Sequence, residues 1–196
     1  ITVILSGGEE ESEEKVEIYE ESPLSEEVEA LRPDILAELK KYGKEEYINL
    51  FLALVMQESG GQGEDVFQCS ESLGKAPNSI DKKQSIRHGV KVLCGYLDHD
   101  KIKVSSPDDL DNIKTALQAY NYGGGYIDYI NSSNFGRDTT ANDLKNLGKW
   151  TQENALAYQK KRSADANHGT PVPRTGSSAT ILGPYQYGDA YYVKHV

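Results

Sequence analysis

The chain has 196 residues and a formal net charge of −10, long enough for one domain with a real core plus a tail. Residues 9 to 29 hold eleven of the 31 acidic side chains and one of the 21 basic ones, so the remainder is balanced at 20 of each. That balance supplies no basic patch for nucleic acid. Two cysteines, Cys69 and Cys94, make neither a disulfide scaffold nor a metal cluster.

The opening ITVILSGG is too short to span a bilayer and lacks the basic stretch of a signal peptide. With the Glu- and Ser-rich run that follows, residues 1–22 read as an acidic stalk, disordered or weakly helical, or as the remnant of an anchor. Residues 23–196 form the folded unit. Ser25 is an N-cap with Glu26 and Glu27 in the favoured first turn. Val28, Leu31, Ile35, Leu36 and Leu39 make a helical stripe that Pro33 kinks or splits. Gly43 closes it.

Tyr47, Phe51, Leu54 and Glu58 recur at steps of four, three and four, so they share one helical face. Leu50 and Val55 extend that face, and Gly60 and Gly61 end the helix. One carboxyl group therefore sits on an apolar stripe in the last turn. Burial, apolar neighbours and the negative end of the helix dipole all favour its protonated form.

The next stretch, GQGEDVFQCSESLGKAPNS, has no period and reads as a loop of unusual length, the kind that carries function. Residues 81–98 form an amphipathic helix (Ile86, Gly89, Val90, Leu93, Cys94, Leu97). Ser106 and Pro107 signal the start of another, with Ile113, Ala116, Leu117 and Tyr120 inward and a Gly-rich stop. A short helix spans 126–130, and a further helical stretch spans 140–162 with Leu144, Leu147, Trp150, Leu156 and Tyr158. Residues 163–183 read as a flexible crossing segment. The last twelve residues form a short helix or a docked strand. The fold class is mostly α.

Four segments, MQESGG, FQCSES, ALQAYNYGGGYI and YGDAYYVKHV, occur in this order. Together they resemble the bacterial lysozyme-like domain of bifunctional cell-wall hydrolases from conjugative elements, related to goose-type lysozyme and soluble lytic transglycosylases. The resemblance covers residues 22–196. It implies Glu58 as catalytic acid and Asp65 as the second carboxylate. It also implies a substrate cleft lined by Gln68, by Ser70, Glu71 and Ser72, and by Tyr120, Asn121 and Tyr122. The chain departs from the usual pattern at Phe67, where Met is common, and at Gly123–Gly125, where transglycosylases carry Ala-Gly.

The activity so implied is cleavage of the β-1,4 bond between N-acetylmuramic acid (MurNAc) and N-acetylglucosamine (GlcNAc) in peptidoglycan. Lytic transglycosylase and non-catalytic wall-binding module stand as alternatives. Cleavage needs a proton on the leaving oxygen and stabilisation of an oxocarbenium-like transition state. A second carboxylate serves inversion at about 6.5–9.5 Å from the first and a covalent intermediate at about 5–5.5 Å; otherwise the substrate's own acetamido group or 6-hydroxyl attacks. Asp65 and Glu71 are the candidates, the latter more readily a buried orienting group. Tyr122 and Asn121 are better placed for the cleft than Tyr120, which faces the core. His88, His99, His168 and His195 show no ligand spacing and read as surface residues, so no metal or other cofactor is expected. The resemblance further implies a secreted or surface-anchored protein acting on glycan strands, with a conjugative secretion machine as a possible partner; a monomer is expected.

Overall fold

The computed structural model describes residues 24–132 and 148–196. The stalk and the expected Leu144 and Leu147 lie outside them. Ser25 caps the first helix as its sequence requires: Oγ accepts from Val28 N at 3.2 Å and donates to Gly60 O at 3.1 Å, tying the domain's start to the end of the central helix. Pro33 splits the stripe into α1 (Glu26–Glu29) and α2 (Arg32–Leu39). Val28, Leu31, Ile35 and Leu39 are buried, whereas Leu36 is exposed.

Helix α3 (Ile48–Ser59) carries the expected apolar stripe. Phe51, Leu52, Leu54 and Val55 have no exposed surface, and Gly60 caps the helix in the left-handed conformation. Helix α4 (Lys82–Leu97) starts on Asp81, whose carboxylate accepts from Gln84 N at 2.8 Å, and packs between α2 and α5. All six of its expected inward residues are buried. Helix α5 (Leu110–Tyr122) begins three residues beyond Pro107, because the Asp109 carboxylate first gathers Ser105 N at 3.0 Å and Ser105 Oγ at 3.1 Å into a turn. Helices α6 (Gly125–Asn131) and α7 (Gln152–Ala166, capped by Thr151) follow.

The segment expected to be flexible is ordered. It holds α8 (Ser177–Leu182) and an isolated antiparallel bridge between Pro173 and Tyr185. Its carbonyls are collected by two side chains: Gln159 Nε2 donates to Leu182 O and Tyr187 O, and the Arg174 guanidinium donates to the carbonyls of Leu182, Gly183, Tyr185 and Gly188. Composition alone does not reveal such long-range acceptors. The chain ends in α9 (Tyr192–His195), the helical one of the two expected forms.

Gly89 on α4 is where the long loop presses closest. A Cβ there would stand 2.3 Å from Cγ of Phe67, which is fully buried. Gly89→Ala is therefore expected to destabilise by roughly 1–3 kcal/mol through overpacking, against the ~1 kcal/mol that alanine ordinarily gains in a helix. A urea midpoint above that of the wild type would disprove this account of the contact.

Candidate active site

Glu58 occupies the last turn of α3, half-buried, with the Tyr192 phenol of α9 donating to Oε1. Its carboxyl group is pushed up from an ordinary 4.5 to about 7. Burial is the largest cause. The Tyr192 hydrogen bond pulls in the opposite direction, while the negative charges of Asp65 and Asp189 add to the rise. Burial was legible from the stripe and Asp65 from the resemblance; Asp189 was not.

Asp65 is the hub of the loop after α3. It is 2% exposed. Oδ1 accepts from Cys69 N at 3.0 Å and from Ser85 Oγ of α4 at 2.7 Å; Oδ2 accepts from Ser70 N at 2.9 Å and from Ser70 Oγ. A carboxylate has about four lone-pair sites, and these four donors take them. Burial alone would raise this group, but the hydrogen bonds outweigh it and hold Asp65 below the usual carboxylate range. The group next to Glu58 is thus a fixed, fully served anion.

The other loop residues divide. Gln68 takes a left-handed backbone (φ 47°), and its side-chain amide donates to Asp65 O at 2.9 Å and Asn78 Oδ1 at 2.7 Å. Ser70 is buried as a ligand of Asp65 and also accepts from Ser79 N at 3.1 Å. Ser72 Oγ donates to Cys69 O at 2.7 Å and lies 2.7 Å from Nε2 of His88, which is therefore engaged with the loop. Glu71, expected as a buried orienting group, is exposed in a single 3-10 turn. Short-range patterning offered no sign of which carboxylate the loop turns inward.

The aromatic pair at the end of α5 also exchanges places. Tyr122 is buried, its hydroxyl donating to Ala155 O at 3.1 Å and its ring 5.3–5.6 Å from those of Tyr126, Tyr158 and Tyr187. Tyr120 is only half-buried and donates to Phe67 O at 2.9 Å. Asn121 Oδ1 accepts from Asp189 N at 2.7 Å, so it fastens the C-terminal segment. A cavity of about 250 Å³ nevertheless gathers Gln68, Ser72, Tyr120, Asn121 and an edge of Tyr122, with Tyr96 and Val92 of α4 as its far wall. Glu58 is not part of that lining; Tyr120, which lines it, is within electrostatic reach of Glu58. A larger cavity between α2 and α4 contains none of the candidate residues.

Cys69 and Cys94 are buried free thiols, each pushed up to about 12 by burial. No group of three or more His, Cys, Asp or Glu among the described residues is arranged to hold a metal ion. None of the described helices is long and apolar enough to cross a membrane.

The lysozyme-like family model matches residues 25–196. The chain belongs to the lysozyme-like family. It is 36% identical over 183 residues to the bifunctional muramidase/DL-endopeptidase CwlT of Bacillus subtilis, covering 91% of this chain and 43% of CwlT. It is 33% identical over 163 residues to pneumococcal vaccine antigen A of Streptococcus pneumoniae, covering 82% of this chain and 67% of that protein. A crystal structure described as similar to a lipoprotein of the NLP/P60 family, from Staphylococcus aureus, superposes with a TM-score of 0.65 at 32% identity. That match covers 88% of this chain and 52% of the staphylococcal one. The lysozyme-like chain thus spans less than half of CwlT and about half of the staphylococcal protein. Sequence patterning gives no sign of Tyr192, Asp189 and Gln118, and His195, expected at the surface, instead pairs with the buried Asp189 at 2.7 Å. The closing YGDAYYVKHV had been noted, but nothing local distinguishes which of its side chains turn inward.

Proposed function

We propose that this lysozyme-like domain cleaves the β-1,4 bond between MurNAc and GlcNAc in peptidoglycan, acting as an N-acetylmuramidase with Glu58 as general acid. The observation that carries this is a half-buried carboxyl at about 7 whose Oε1 is occupied by the Tyr192 hydroxyl. The proton of the neutral acid then belongs on Oε2, the oxygen left to face a leaving group. The muramidase in the name of CwlT supports the same chemistry. A pure wall-binding module has no use for such a proton.

Asp65 stabilises the site as a fixed negative charge and as the hub that shapes the loop; its lone pairs are already spoken for. That occupancy favours attack by a group of the substrate itself over attack by a carboxylate-activated water. It is the specific reason to keep the lytic transglycosylase reading, in which the 6-hydroxyl closes a 1,6-anhydro ring. Gln68, Ser72, Tyr120 and Asn121 supply the polar and flat surfaces of the cleft. We place the protein outside the cell or on its surface, acting on wall glycan as a monomer, with a conjugative secretion machine as a candidate partner.

Mass spectrometry of muropeptides released from purified peptidoglycan tests this, with Glu58→Gln as the blank. Reducing MurNAc ends are expected. Products lighter by one water would move the assignment to transglycosylase, and no release from the wild type would overturn both.

A further inference from the structure

The segment that brings Tyr192 to Glu58 is only one turn of helix, and a turn that short has no stability of its own. Side chains must hold it. Asp189, 4% exposed, does so at both ends: Oδ1 accepts from Tyr191 N at 2.7 Å, and Oδ2 lies 2.7 Å from Nδ1 of His195. Its backbone is gripped by α5. N donates to Asn121 Oδ1 at 2.7 Å, and O accepts from Gln118 Nε2 at 2.9 Å. Gly188 (φ 42°) permits this approach, since a Cβ there would stand 2.7 Å from Asn121 Oδ1 and the Tyr122 ring. Asp189 and His195 therefore bracket the residue that contacts the acid.

A neutral side chain would close such a turn at lower desolvation cost than a buried carboxylate. What a carboxylate adds is charge. Glu58 is faced by Tyr192 from α9, Tyr120 from α5, Asp65 from the loop and Asp189 itself. Asp189 is faced by His195 and Tyr192 of its own segment, by Tyr122 of α5 and by Arg174 of the crossing segment. Arg174 spends its donors on the carbonyls of 182, 183, 185 and 188, bracing the chain that leads into Asp189.

We propose that the Asp189–His195 pair is a positioning device for the general acid, fastening Tyr192 onto Glu58 and keeping a fixed negative charge beside it. The pair touches no substrate; it acts through Tyr192 and Glu58. This inference rests on Glu58 being the acid of the preceding reading.

Asp189→Asn keeps an oxygen acceptor for Tyr191 N, removes the charge and turns an amide donor toward His195 Nδ1 in place of Oδ2. In the full chain labelled with carboxyl-¹³C glutamate, Glu58 is expected to titrate at lower pH than in the wild type. The alkaline limb of the cleavage rate should move down with it, while KM changes less than about twofold. His195→Ala should lower kcat about tenfold by loosening Tyr192, and His195→Gln, whose amide can still donate to Asp189, should recover most of it. An unshifted Glu58 titration in Asp189→Asn, or equal activity of wild type, His195→Ala and His195→Gln, would overturn the proposal. The titration needs no turnover: a shifted Glu58 in a wild type that releases no muropeptides would sink the glycosidase reading and leave the electrostatic coupling standing.

Discussion

Glu58→Gln is expected to lower glycan cleavage by about a hundred- to ten-thousandfold, the range typical of a lost general acid, and at the same time to make the protein more stable at pH 8. The two effects share one cause. The Glu58 carboxyl titrates at about 7 in the folded chain against an ordinary 4.5, so the folded state binds its proton more tightly than the unfolded state. Its stabilising contribution is complete below 4.5 and is lost as pH rises through 7. Above that, an ionised carboxylate is held in a half-buried site, at a cost of the order of 2 kcal/mol once its partial exposure is allowed for. Glutamine carries no charge at any pH and still offers an oxygen to Tyr192. Thermal melts of wild type and variant should therefore diverge between pH 5 and pH 8, and the wild-type cleavage rate should fall as pH rises through about 7. A variant no more stable than the wild type at pH 8 would mean that Glu58 is solvated and ordinary.

Asp65 should show the opposite pH sign. Its carboxyl lies below the ordinary 3.8, held there by Ser70, Cys69 and Ser85 against the effect of burial. Its contribution is therefore present above 3.8 and lost as pH falls from there through the folded value. In Asp65→Asn the new amide group must point at two of four donors, either the pair on Oδ1 or the pair on Oδ2. We expect a loss of about 2–4 kcal/mol at pH 7, read as a lower urea midpoint and faster amide exchange at Cys69 and Ser70. The deficit should narrow as pH falls below 3.8. Activity should fall with loop order, and azide should not restore it in Asp65→Ala. Azide rescue would instead make Asp65 a nucleophile or a base that the loop's hydrogen bonds merely mask.

Several features were legible from the chain alone because their causes are local. Steps of three and four put Glu58 on the apolar face of α3, and a glycine that takes φ 62° without strain ended the helix just beyond it. Ser25, Pro33 and the α4 stripe obeyed rules that depend on neighbours within one or two turns. The absence of periodicity after Gly61 marked the long loop that Asp65 organises, and four segments in order identified the family.

What only the tertiary structure decided depends on partners far apart in sequence. Asp65 becomes a saturated anion because Ser85, twenty residues on, is turned toward it by α4; Glu71, in the same loop, finds no such burial. Tyr122 enters the core and Tyr120 the site edge because α6 and α7 bring Tyr126 and Tyr158 against the former. Tyr192 reaches Glu58 across 134 residues, held by Asp189, Asn121 and Gln118. Helical period specifies which face of one element is apolar. It does not specify which distant donor meets which carboxylate, and here that meeting helps set whether Glu58 keeps its proton.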